Sequence, residues 1–246
     1  FNASNILLSA STSLAGLSVA FPVGVGLAMV LGVIINYIGQ PKGNPVMLFL
    51  GVALVVIAIV CNGIASGKMQ KEKGDAAKYR KGIILAIVAG VLMAFFYRFV
   101  AKAMDLDNFA QPMAGKLTPY SAIFIFSIGV LISNFLFNTL VMKHPFVGEP
   151  VTYKQYFAGK FSTHLVGVLG GVIWCLGTAF SYIAAGKAGA AISYALGQGA
   201  PMIAAIWGVF IWKEFKGSSK ATNWLLALMF AFFIGGLACV IVAGGA

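Results

Sequence analysis

The stretch SYALGQGAPMIAAIWGVFIWKEF, Ser193–Phe215, is apolar enough to lie within a bilayer, yet its centre holds Gly197, Gln198, Gly199 and Pro201. A plain spanning helix has no use for two helix-weakening glycines, an amide and a helix breaker at mid-depth. Non-helical backbone there is tolerated only where protein or a water-lined cavity satisfies it. The stretch therefore reads as an interrupted membrane helix with Gln198 aimed at a cavity.

The rest of the chain agrees with that reading. Of 246 residues, 60% are hydrophobic and only 9% are charged, with a mean hydropathy of +0.94, a balance that a soluble surface could not carry. A net charge of +11 would suggest a nucleic-acid partner in a soluble protein, but here the basic residues sit between apolar runs, where topology signals belong. Nucleic acid is excluded on that ground. Cys61, Cys175 and Cys239 all lie inside apolar runs, with neither disulfide-framework nor metal-ligand spacing, so no metal or other cofactor is expected.

A spanning helix needs about 20 mostly apolar residues. Eight such helices are expected, near residues 2–17, 18–38, 45–66, 83–101, 119–142, 162–185, 188–212 and 222–243, giving an all-α integral membrane bundle. Lys and Arg concentrate in the connections at 67–82, 143–160 and 213–220, all on one side. The positive-inside rule places that side in the cytoplasm and the C-terminus outside.

Two segments repeat. AGLSVAFPVGVG from Ala15 and AGAAISYALGQG from Ala188 share the Ala-Gly start, the aromatic and both later glycines, with Met29 and Met202 in register. Farther on, IVCNGIASG and LACVIVAGG bring Cys61 opposite Cys239. In the second copy two additional helices precede the matching triplet, so the complete protein is expected to have ten helices, five per copy. An odd number per copy makes the repeats inverted, an arrangement of secondary transporters with the substrate site near the midplane. Residues 1–66 are then the last three helices of the first repeat, 67–82 a short basic linker, and 83–246 the whole second repeat.

This frame selects candidate residues. Pro22, Gly24 and Gly26 sit in the helix that corresponds to the one holding Gly197, Gly199 and Pro201, with Gly24 opposite Gly197 and Gly26 opposite Gly199, and interrupted segments at corresponding positions point to the binding site, with tight helix crossing as the competing explanation. Gln198, Trp174, Tyr194, Thr178, Asn134, Asn138 and Asn5 are the expected substrate-binding residues: amides and hydroxyls to hydrogen-bond a solute, rings to stack on it. Gly167 and Gly171, on the helix that bears Trp174, read as a packing seam. No acid lies mid-helix, so proton coupling, if used, would fall to His164, to Glu149 or to a carboxylate in the helices expected upstream. The lack of mid-helix acids argues against a polyvalent cation as substrate. No phosphate loop, nucleophile elbow or clustered acid/base set is found, which argues against an enzyme.

From His164 to Phe215, HLVGVLGGVIWCLGTAFSYIAAGKAGAAISYALGQGAPMIAAIWGVFIWKEF resembles the ureide permease family of the drug/metabolite transporter superfamily. FNASNILLSASTSLAGLSVAFPVGVGLAMVLGVIINY, from Phe1 to Tyr37, is similar to the matching first-half region. The resemblance implies a ten-helix inverted-repeat carrier in the plasma membrane and, by analogy with plant members, proton-linked uptake of allantoin, uracil or related oxo-heterocycles. Bacterial relatives grade into glucose, ribose and rhamnose porters, and a multidrug exporter of the same superfamily is a further alternative. The long central loop of the plant members is reduced here to KMQKEKGDAAKYRK, which suggests a bacterial protein of the inner membrane. The expected partners are thus a small polar uncharged solute, the lipid bilayer and a proton; oligomeric state is not readable. A non-transporting receptor or enzyme subunit is the reading from another class.

Overall fold

The computed structural model describes residues 1–73, 76–109, 111–197 and 199–245, of which 70–73 and 76 are described by their backbone alone. Gln198 lies outside the described residues.

Among those residues the chain is helical and has no strand beyond one isolated bridge between Met104 and Leu117. The helices are α1 (Asn2–Ala15), α2 (Leu17–Gly39), α3 (Pro45–Lys73), α4 (Ala76–Ala103), α5 (Pro119–Lys143), α6 (Tyr153–Phe157), α7 (Phe161–Ala188), α8 (Ala190–Gly197), α9 (Ala200–Ile206) and α10 (Lys220–Gly245). A π-helical turn, Trp207–Ile211, continues α9. Seven stretches are long and apolar enough to cross a membrane, with Ala190–Ile211 counted as one. α1, at the first expected span, has 14 residues, Asn2–Ala15, and is not among these seven.

Helices reach into the connection expected at 67–82, with α3 continuing to Lys73 and α4 starting at Ala76. Its Lys, Gln, Glu, Met and Ala residues are good helix formers, so charge alone does not end the helix. In the next connection α6 is an unforeseen short helix, started by a capping box in which Thr152 and Gln155 satisfy each other's backbone N–H groups.

α2 is the enclosed centre, with buried residues from Ser18 to Asn36, and α1, α3, α4, α8 and α9 pack around it. Pro22, Gly24 and Gly26 do not interrupt it, contrary to the sequence expectation. Pro22 has no N–H for the carbonyl of Ser18, but the Asn62 amide of α3 donates to that oxygen at 2.7 Å. A neighbouring helix thus supplies the bond that proline removes, and α2 runs on. Gly24 serves close approach instead: a Cβ on Gly90 of α4 would lie 2.4 Å from the Gly24 carbonyl oxygen.

The partner segment behaves differently. α8 stops at Gly197 and α9 starts at Ala200 with Pro201 in its first turn, while the Gly199 N–H turns back to the Leu196 carbonyl at 3.1 Å. The matched glycines that open the two segments share one left-handed conformation, φ 88° and ψ 159° at Gly16, φ 84° and ψ 157° at Gly189. Matched helices also meet: α2 lies against α8 and α9, and α3 against α10, where a Cβ on Gly51 would come within 2.6 Å of the Gly236 carbonyl oxygen.

α5 and α7 stand at the periphery. Phe124, Leu131, Ile132, Phe135, Val166, Val172 and Ile173 are exposed, a face suited to acyl chains. The packing seam expected at Gly167 and Gly171 is unoccupied, since a Cβ at either would meet nothing within 4 Å. At the far end of α4, Asp105 organises the connection to α5, accepting N–H groups from Met113 (2.9 Å), Asn108 (3.1 Å) and Asp107 (3.2 Å). Those bonds, that from Met113 foremost, hold its carboxyl below the usual carboxylate range, with Lys116 adding to the effect.

Candidate functional site

Where α1, α2, α4, α7, α8 and α9 converge, they leave a cavity of about 270 Å³. Phe21 and Val25 of α2 form one wall, and Met93, Phe96 and Tyr97 of α4, at helical spacing, form another. α7 contributes Trp174, Gly177, Thr178 and Ser181, and the broken segment contributes Tyr194, Gly197 and Ala200.

Of the residues expected to bind substrate, Asn5, Trp174, Thr178 and Tyr194 all line this cavity. Gly197 lines it too, beside Gln198, which is outside the described residues. The Asn5 amide makes no hydrogen bond to the described residues, so its donors and acceptor are available to a solute. Trp174 is 40% exposed and stacks on Phe1 with centroids 5.0 Å apart and planes at 29°. Thr178 donates to the Trp174 carbonyl at 2.9 Å, leaving its oxygen as an acceptor.

Asn134 and Asn138 do not belong to this site. One turn apart on α5, they bond each other, Asn138 Nδ2 to Asn134 Oδ1 at 2.7 Å, and Asn138 borders a separate recess with Ile6, Ser9 and Ser13. The same four-residue spacing that suggested a shared face lets the two amides satisfy each other. His164 and Glu149 are also remote from the cavity. His164 packs on Tyr156 at the start of α7, with ring centroids 4.9 Å apart, and Trp174 follows ten residues later, about 15 Å along the helix. Glu149 is exposed in the connection between α5 and α6.

The sequence reading missed the α4 wall. Tyr97 is fully enclosed and donates to the Ser181 carbonyl at 3.0 Å and to the Ser193 hydroxyl at 3.2 Å, while Ser181 and Ser193 lie 3.1 Å apart through their hydroxyls. Tyr194 donates to the Ala28 carbonyl at 3.1 Å. VLMAFFYRFV, residues 91–100, has Arg98 as its one charged residue, next to Tyr97, and the signal for the wall is Met93, Phe96 and Tyr97 at three- and four-residue steps.

Among the described residues no Asp, Glu, Lys, Arg or His lines the cavity. A site of rings, hydroxyls and one free amide suits a neutral, hydrogen-bonding solute, because a bare charge would enter without a counter-charge. The volume lies near the lower end of the range for small-molecule pockets.

The ureide permease profile matches residues 68–243. Ureide permease 1 of Arabidopsis thaliana is 23% identical over 282 residues, which cover 94% of this chain and 72% of that protein. Ureide permease 2 of the same plant is 25% identical over 165 residues, 67% of this chain and 41% of that protein, so this chain spans well under half of that relative. The probable glucose uptake protein GlcU of Priestia megaterium is 24% identical over 238 residues, 95% of this chain and 70% of its own length. No solved structure matches. With seven apolar membrane-length helical stretches and a profile match over most of its length, the chain belongs to the ureide permease family and is a multi-pass integral protein of the plasma membrane.

Proposed function

We propose that this protein is a secondary active permease that binds a small, uncharged, polar solute in the α1/α2/α4/α7/α8 cavity and exposes it to each face of the membrane in turn. The observation that carries this reading is the uncharged cavity itself, built from rings, hydroxyls and the free Asn5 amide at the junction of two matched segments. We place these segments in a ten-helix inverted repeat, with residues 1–66 in the first copy and 83–246 in the second. The shared left-handed conformation of Gly16 and Gly189 and the packing of matched helices support that arrangement.

A ureide or oxo-heterocycle such as allantoin or uracil suits the site best. Its flat face can stack on Trp174, and its alternating N–H and C=O groups can pair with Asn5 and the Thr178 oxygen. A sugar is the second reading, favoured by the similarity to glucose uptake proteins over most of the chain. Uptake of labelled allantoin, uracil, glucose and rhamnose by the full-length protein, with and without a protonophore, separates the two. Saturable accumulation of allantoin or uracil supports the first reading and accumulation of a sugar the second. Sensitivity to the protonophore would establish proton coupling, and accumulation of none of the solutes would count against both substrate classes.

A further inference from the structure

Two charged side chains outside the cavity tie the matched segments together at opposite ends of α2. At its start, Glu214 accepts the N–H of Leu17 on Oε1 at 2.9 Å and that of Ser18 on Oε2 at 3.0 Å; the Ser18 hydroxyl also donates to Oε2. These are first-turn donors with no partner inside the helix, and Gly16 has no side chain to cap them, so a carboxylate from the other segment does so. Glu214 is aimed by a sharp turn in which Lys213 has φ 53° and the Glu214 N–H bonds the Gly208 carbonyl at 3.0 Å. The fit is close: a Cβ on Gly16 would lie 2.9 Å from Glu214 Oε2, and one on Gly208 would lie 3.0 Å from it.

Beyond the other end of α2, Lys42 donates from Nζ to the Gly186 carbonyl at 2.7 Å, in the last turn of α7. There the final carbonyls lack helical donors and the helix dipole favours a cation. The lysine stem lies over Gly189, where a Cβ would come within 2.8 Å of Lys42 Cβ. The two contacts mirror each other. Gly16 opens the segment that ends in Lys42 and is covered by Glu214; Gly189 opens the segment that ends in Glu214 and is covered by Lys42. α2, with 23 residues, sets them about 35 Å apart, a membrane's thickness.

We propose that Glu214 and Lys42 are the latches of two opposed gates. Release of one, while the other holds, opens the cavity toward the face of the released latch. This rests on the alternating-access reading above. The Glu214 contact crosses from one matched segment to the other, and the Lys42 bond crosses from the first segment to the last turn of α7, in the second repeat, so no rocking of the two repeats can leave both intact. Each is also a charge-assisted hydrogen bond at a helix end, where water can replace it once the segments part.

The test uses the full-length protein with Cys61, Cys175 and Cys239 replaced by alanine and Thr178→Cys as a reporter in the cavity. A membrane-impermeant maleimide is applied to right-side-out and to inverted vesicles, and the ratio of the two labelling rates is read. Glu214→Ala should shift this ratio about tenfold toward the Glu214 face, and Lys42→Met by a similar factor toward the Lys42 face. Lys42→Arg, which keeps a cationic donor, should stay near the parent ratio. Shifts of the same sign, or ratios unchanged in both variants, would overturn the proposal. Where either of these is not recovered folded, Glu214→Gln and Lys42→Gln carry the same requirement of opposite signs. Labelling needs no solute, so a failure of every uptake assay beside opposite-signed shifts would refute the substrate reading and leave the latches standing.

Discussion

The Tyr97 hydroxyl lies 3.2 Å from that of Ser193, and through this contact and its bond to the Ser181 carbonyl it joins α4 to α7 and α8 behind the cavity. A hydrogen bond between membrane helices contributes on average about 0.6 kcal/mol, and rarely more than about 1.7 kcal/mol. Tyr97→Phe should therefore lower the stability of detergent-solubilised protein by about 1 kcal/mol. It should also raise the KM for the transported solute, because the wall behind it loosens. Thermal unfolding followed by uptake kinetics checks both effects.

Trp174 presents its ring to the cavity and is held by Phe1 and Phe126. Aromatic pairing contributes about 0.5–1.5 kcal/mol beyond area burial, so Trp174→Ala should raise KM by up to about tenfold, and Trp174→Phe should recover part of the loss. Equal KM values for the alanine variant and the parent would remove Trp174 from the site.

The amides divide into two groups that only the structure separates. Asn5→Leu should raise KM severalfold by removing the free amide of the cavity, whereas Asn138→Leu, which alters a pair bonded to itself, should leave KM within about twofold. A larger effect at Asn138 than at Asn5 would reverse the assignment.

Gly90→Val places side-chain atoms into the carbonyl of Gly24, where even a Cβ would lie 2.4 Å away. Overpacking typically costs about 1–3 kcal/mol, and backbone cannot yield as a side chain can. A sharp loss of monodisperse protein on size-exclusion chromatography is expected. Gly63→Ala, where a Cβ would meet nothing within 4 Å, should match the parent.

Asp105 gives a pH dependence with a definite sign. Its carboxyl is held below the ordinary value by the N–H groups of Met113, Asn108 and Asp107, so it binds its proton more weakly folded than unfolded. The stability it contributes is therefore complete above the unfolded value of about 3.9 and is lost as pH falls through it toward the lower folded value. Asp105→Asn should be less stable than the parent at pH 7, and the difference should shrink below about pH 4. Unfolding midpoints measured at the two pH values test this.

Helix positions were readable in the sequence because an apolar run of membrane length has few alternatives. Gly199 lies outside both α8 and α9, and Pro201 sits in the first turn of α9, while Gln198 between the two helices is outside the described residues. The continuity of α2 through Pro22 was not readable, because it depends on Asn62, forty residues away, supplying the missing bond. Asn5, Trp174, Thr178 and Tyr194 meet in one cavity and were marked by polarity or aromatic character against apolar surroundings. Tyr97 was not readable because its partners Ser181 and Ser193 lie more than eighty residues away, and Asn134 and Asn138 showed the limit of a helical-face argument, which says what shares a face but not what that face meets.

The unequal build of the two matched segments has a mechanical consequence. α2 is a single helix of 23 residues, whereas its counterpart, on either side of Gln198, ends in a π-helical turn, Trp207–Ile211, that α2 lacks. Equal displacements of the two segments would not demand equal work, since a π turn bends where the single helix must pivot whole. Whatever symmetry the sequence preserves, the energy landscape of the folded chain is lopsided, and deformation will gather in the half that carries the π turn.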